Sequence, residues 1–147
     1  AMNEGVLAGY RMVGVKATLT DGSHHDVDSK DIAFKMAARL AYREGIPKAH
    51  PVLLEPIVNV QVIVPESYTG TIVGDLNKRR GLITGMDYDE YNDQVINAEV
   101  PLAEIVKYAT ELRSMTQGRG KFVYEIIDYR EVPEHLKDNI IRDSQND

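Results

Sequence analysis

The chain has no cysteine among its 147 residues, which excludes disulfide bonds and thiolate metal sites. It also has no apolar run near the roughly 20 residues that a membrane-spanning helix needs. The sequence does not show the basic segment and apolar stretch of a secretory leader. We therefore expect a cytoplasmic protein without a membrane partner. Basic residues are not in excess either, because the formal net charge is −6. Any contact with nucleic acid must therefore come from local basic clusters.

Phosphate-binding loops are also missing from the sequence. Neither GxxxxGKS nor GxxxxGKT occurs, and no GxGxxG follows a predicted strand, so we do not expect this chain to hydrolyse a nucleotide. No spacing of Ser, His and Asp identifies a catalytic triad. With 43% apolar residues, the chain is expected to fold as one domain or two small ones.

The first fifty or so residues predict a strand, a loop and a helix. Apolar residues alternate through 13–19, and Asp21-Gly22 supplies a turn before the loop 22–27. Asp28 is predicted to cap a helix that ends at Gly45 and Pro47. Its apolar residues at helical spacing are Ile32, Ala33, Met36, Ala37, Leu40 and Ala41. Because these elements cannot close a core, we expect a strand edge that pairs with a neighbour, or disorder in about the first fifteen residues.

Pro51 and Pro56 mark a boundary, beyond which the periodicity predicts a complete second unit. The predicted elements are a strand at 58–64, a helix at 66–80, strands at 82–86 and 95–100, a helix that starts at 102, and a strand at 122–129. The stripe of the second helix is Leu102, Ile105, Val106, Ala109 and Leu112. This order predicts an α+β, ferredoxin-like βαββαβ sandwich with both helices on one face. A short helix at 133–141 and a frayed tail at 142–147 follow.

Two kinds of candidate site stand out. His24, His25, Asp26 and Asp28 lie close together in sequence, so a metal site is one hypothesis, and an exposed polar tip is the one that we favour. The basic residues form two clusters, Lys78, Arg79 and Arg80 in one, Arg113, Arg119 and Lys121 in the other. The first cluster either binds RNA phosphates or complements the carboxyl end of its helix.

The second cluster borders two glycines, where backbone can approach a phosphate closely. In a split βαβ unit the end of the second helix adjoins the start of the last strand, so Arg113 and Arg119 are expected to share one edge. Ion pairing with Glu111 or Glu125 is the alternative. An acylphosphatase-like enzyme is not expected, because the loop after the first strand, 65–68, is acidic and has no arginine.

Five strings of the sequence together resemble elongation factor G. They are LAGY at 7–10, DGSHHDVDS at 21–29, PVLLEP at 51–56, GDLNKRRG at 74–81 and YATELRSMTQGRG at 108–120. The similarity runs from about Gly5 to Pro133. It implies that residues 1–54 are the second part of the family's domain IV, with a partial ribosomal-protein-S5-like β-α unit. Residues 55–132 are then domain V, and 133–147 a terminal helix and tail.

The resemblance implies a ribosome-binding module of a GTP-driven translocase, with no catalysis of its own. GTP and Mg are then bound by a G domain outside this chain, and no cofactor is expected here. The implied partners are rRNA of both ribosomal subunits, stalk-base proteins, and tRNA and mRNA in the A site. Ser23, His24, His25 and Asp26 are the implied decoding-centre tip. A dimer through the open domain IV edge is a further expectation.

Two alternatives remain open at the level of sequence. His24 and Lys30 depart from the aromatic and small residues more usual in the family, which keeps open a divergent paralogue that acts in recycling or ribosome protection. The other alternative is a small regulatory ferredoxin-like module that binds a ligand.

Overall fold

A stretch of alternating valines forms β1 (Leu54–Val64), an inner strand of a four-stranded antiparallel sheet. In the computed structural model, which describes residues 1–146, the strands lie in the order β2 (Leu82–Tyr88), β3 (Gln94–Pro101), β1 and β4 (Lys121–Glu131). β1 pairs with β3 on one side and β4 on the other. Its even-numbered valines from 58 to 64 are fully buried, so one face of the sheet forms the core.

Two helices cover that buried face. α2 (Thr69–Lys78) follows a short 3-10 helix at Glu66–Tyr68, and α3 (Tyr108–Met115) follows another at Leu102–Ile105. The helical residues that pack with the valines in one cluster are Ile72, Leu76, Ile105, Tyr108 and Leu112. The α+β class and the βαββαβ order are therefore confirmed for residues 54–131, which form one compact unit.

The second helical segment is interrupted, which the sequence pattern did not predict. A 3-10 helix has about three residues per turn, so it shifts the phase of the positions that face inward. Tyr108 is consequently fully buried, whereas Val106, which the predicted stripe included, is 77% exposed.

β1 begins earlier than predicted and includes Pro56. At this position β1 pairs only with β4, through Tyr129, because its pairing with β3 starts at Ile57. A proline is tolerated where a strand has a single neighbour, since no second ladder needs its missing N–H donor.

Residues 1–53 and the stretch from Val132 onward form the other unit. The strand predicted at 13–19 is wrong: no strand forms in the described residues of this unit. A strand needs a partner for its backbone groups, and here Val13 is 60% and Leu19 92% exposed. The apolar residues Ile32, Met36 and Leu40 of α1 (Asp31–Gly45) are also exposed.

The helix limits of this unit differ in part from those predicted. α1 ends at Gly45 as predicted, but its N-cap is Lys30 and not Asp28, whose N–H bonds to the His25 carbonyl within a turn. α4 (Glu134–Ser144) extends past residue 141, so the predicted frayed tail is helical through Ser144. Asp147 lies outside the described residues. Along the described chain, each helix is either too short or too polar to cross a bilayer.

Thr116 holds the turn between α3 and β4. Its buried hydroxyl donates to the Leu112 carbonyl at 2.7 Å and accepts the Gly120 N–H at 2.8 Å. The backbone is left-handed at Gln117 and Gly118, and the Gly118 N–H donates to the Arg113 carbonyl at 2.8 Å. These bonds close the end of α3 in the manner of a Schellman motif.

Replacing Thr116 with Val tests this role. The variant keeps the shape of the side chain but leaves the Gly120 N–H without its acceptor, so we expect the free energy of unfolding to fall by about 1–3 kcal/mol. Urea denaturation measures the change. Thr110→Val, at an exposed position of α3, is the control and should stay within about 0.5 kcal/mol of the parent. Equal effects of the two substitutions would contradict the assignment.

Candidate nucleic-acid interface

The predicted tip, Ser23 to Asp26, is solvent-exposed and its backbone is fixed locally. The His25 N–H donates to Ser29 Oγ at 2.6 Å, and the His25 carbonyl accepts the N–H groups of Asp28 and Ser29. His24 Nε2 lies 3.5 Å from Asp26 Oδ1. The turn therefore presents both imidazoles to solvent.

A metal site at the tip gains no support from this geometry. Within residues 1–146, no three or more His, Cys, Asp or Glu side chains are grouped so that they could hold an ion.

Arg79 is enclosed by acceptors. Its Nε lies 2.7 Å from Asp75 Oδ2, its Nη1 donates to the Glu104 carbonyl at 2.7 Å, and its Nη2 donates to the Glu111 carboxylate. Its guanidinium carbon lies 4.9 Å from the centre of the Tyr108 ring, and only 14% of the side chain is exposed. Burial opposes the charge, but the hydrogen bonds to Asp75 and Glu111 outweigh it and raise the pKa of Arg79 above its usual range.

Arg80 is held in a similar way. It has a left-handed backbone with φ of 58°, and the Gly81 N–H donates to the Leu76 carbonyl at 2.9 Å, which closes α2. The Arg80 guanidinium makes a bidentate contact with Glu55 at 2.7 and 2.9 Å, and its Nε bonds to Glu104 at 3.1 Å. The hydrogen bonds to Glu55 raise the pKa of Arg80, against an opposing effect of burial.

These contacts weigh against the predicted phosphate contacts of Arg79 and Arg80. A phosphate would have to displace carboxylates that already satisfy the guanidinium groups. The structure favours the alternative interpretation, in which the two arginines stabilise the end of α2. Only Asp75, four residues before Arg79, was readable from the sequence as a partner, because Glu55, Glu104 and Glu111 come from distant elements.

The other four predicted cations are exposed. They are Lys78, Arg113, Arg119 and Lys121. None of the ion pairs found across residues 1–146 includes them. The predicted alternative for Arg113 and Arg119 is therefore not what the described structure shows, since Glu111 bonds to Arg79 instead.

Arg113, Arg119 and Lys121 lie around one turn, which we call the α3–β4 corner. The bond from Gly118 N–H to the Arg113 carbonyl and the bond from Arg119 N–H to the Thr116 carbonyl fold the chain back at this point. The corner thus groups three cations around a backbone fixed by the buried Thr116 hydroxyl. Such an arrangement suits the binding of an anion or of a phosphate backbone.

Comparison with known proteins gives the same family for both parts of the chain. The family described as "Elongation factor G, domain IV" matches residues 1–50, and "Elongation factor G C-terminus" matches residues 52–140. A crystal structure of a protein from Thermus thermophilus matches with a TM-score of 0.86 at 43% sequence identity. That match covers 99% of this chain but 22% of the Thermus chain.

The structural role of Arg79 predicts a loss of stability when it is replaced by Ala. Asp75 and Glu111 would then face one another without their shared cation, so we expect the free energy of unfolding to fall by about 1–3 kcal/mol. Urea denaturation at neutral pH measures it, with Arg119→Ala as a control that should change stability by less than about 0.5 kcal/mol. If Arg79→Ala leaves stability intact but weakens RNA binding, Arg79 is a phosphate contact after all.

Proposed function

Because the chain belongs to the elongation factor G family and is thus a translation elongation factor module, we propose that it is a ribosome-contacting part of a GTP-driven translocase. The observation that carries this proposal is the match of consecutive parts of the chain, 1–50 and 52–140, to two parts of that family. The parent protein would move tRNA and mRNA through the ribosome in the cytoplasm. This chain contributes contacts and no catalysis, while GTP and Mg bind to a separate G domain.

We assign the decoding centre to the tip, Ser23 to Asp26, where tRNA and mRNA meet in the A site. Its support is the exposed, locally fixed turn that presents His24 and His25. In this role His25 acts by shape and hydrogen bonding with RNA, not by acid–base catalysis.

We assign the contact with large-subunit rRNA and the neighbouring stalk-base proteins to the second unit. Its support is the α3–β4 corner, where three exposed cations have no carboxylate partner in the described structure. Exposed Lys78 is a further candidate. Because the chain as a whole is acidic, with a net charge of −6, this contact depends on a few local cations and should be sensitive to salt.

Replacing Arg113, Arg119 and Lys121 together with Ala tests the corner. Binding of the chain to large ribosomal subunits should weaken by roughly tenfold or more at low salt. The slope of log affinity against log salt should become shallower by about two to three, since each phosphate contact contributes close to one. Sedimentation binding across a salt series measures both. Lys107→Ala removes another exposed cation of this unit and should change neither. Unchanged binding by the triple variant would reject the assignment.

The absence of cysteine allows a second test by site-directed crosslinking. A photoreactive group on His25→Cys should crosslink to small-subunit rRNA, and the same group on Arg119→Cys to large-subunit rRNA. Glu90→Cys, in the exposed acidic turn between β2 and β3, is the control and should give neither product. The assignment of the tip to the small subunit and of the corner to the large subunit is wrong if positions 25 and 119 label the same subunit or label no more than the control.

A further inference from the structure

Three aromatic rings form a ladder from the core to the surface. Tyr108 is fully buried and contacts Phe122 edge to face, with centroids 5.0 Å apart. Phe122 in turn stacks on Tyr124, with an angle of 13° between the rings and centroids 6.2 Å apart. Tyr124 is 52% exposed. One face of its ring therefore packs against Phe122, which in turn packs against Tyr108, and the rest of the ring is open to solvent.

The position of Tyr124 leaves that ring accessible. β4 is an outer strand of the sheet, so no strand lies on its free side in the described structure. Glu111, which bonds to Arg79 at the end of α2, marks the flank of α3 that faces α2. Arg113 is two residues on, about 200° around the helix, and so lies on the flank turned away from α2 and toward β4.

Two cations of the corner lie close to the face of β4 that carries Tyr124: Arg113 is on the helix that covers this face, and Arg119 is in the turn that joins this helix to β4. Lys121 is three residues before Tyr124, about 10 Å along a strand, and alternates to the opposite face, where it pairs with Ile63. Glu125 lies on the same opposite face as Lys121, because Phe122, Tyr124 and Ile126 are the β4 residues that pair with the buried valines of β1. The ladder thus opens beside Arg113 and Arg119 of the α3–β4 corner, while Glu125 lies on the opposite face of β4.

A half-exposed aromatic ring beside a group of cations is a combination that binds single-stranded nucleic acid, with bases on the ring and phosphates on the cations. We propose that Tyr124 stacks on an unpaired base of RNA whose phosphates lie on the α3–β4 corner. This inference rests on the proposed function and narrows its ligand to RNA with an unstacked base.

Fluorescence can test the stacking directly because the chain has no tryptophan. In Tyr124→Trp, the single indole should be quenched when a short oligoadenosine binds. An abasic ribose-phosphate chain of the same length should bind through the corner without quenching. Tyr88→Trp, at a 51% exposed position on β2 at the other edge of the sheet, is the matched control and should respond to neither. Equal fluorescence responses at both positions would overturn the inference. A change of fluorescence on dilution alone would also overturn it, because it would indicate that a second copy of the chain packs on β4.

Affinity gives a second readout. Tyr124→Ala should bind oligoadenosine about tenfold more weakly, with an unchanged slope of log affinity against log salt. Tyr124→Phe and Tyr88→Ala should bind like the unsubstituted chain. If oligoadenosine and the abasic chain bind equally well and Tyr124→Ala has no effect, the inference fails and the phosphate surface remains. If neither oligoadenosine nor the abasic chain binds, and the triple variant of the corner binds ribosomes like the unsubstituted chain, the proposed function fails as well.

Discussion

The second unit depends on how the Arg79 guanidinium is neutralised. A charge that is 14% exposed costs several kcal/mol to bury unless its donors are all satisfied. Here the acceptors come from α2, from the 3-10 helix before α3, and from α3 itself, while the Tyr108 ring lies against one face. One side chain therefore ties α2 to the helical segment that carries Arg113 and Tyr108.

Tyr108 packs against Arg79 but leaves a buried hydroxyl group unsatisfied among the described residues. Its hydroxyl is buried without a hydrogen-bond partner in the described structure, and burial raises the pKa of the phenol still further above neutral pH. A neutral ring offers Arg79 a cation–π contact and offers Phe122 an edge-to-face contact. The aromatic surface at Tyr124 is thus connected to the buried ion pairs through two rings.

The sequence was sufficient for the order of elements in the second unit, because periods of two and of about three to four residues distinguish its strands from its helices. It was insufficient where a partner decides the outcome. The alternating stretch at 13–19 remained irregular since no strand pairs with it, and Tyr108 replaced Val106 in the core because a 3-10 helix changed the phase. Cations that look alike in sequence differ in role because of carboxylates that are distant along the chain. Glu55 and Glu104 bond to Arg80, whereas no carboxylate reaches Arg119 in the described chain.

That difference in role is compatible with the RNA contact proposed for this acidic chain. Cations that are neutralised within the fold contribute stability and no attraction for phosphate, so the number of phosphate contacts is set by the few that remain exposed. A small number of contacts gives weak and salt-sensitive binding, which would suit the reversible ribosome contact proposed for this chain. A stacking ring would then add affinity that is independent of salt and confined to places where a base is unpaired, and the chain would distinguish one RNA surface from another without a high positive charge.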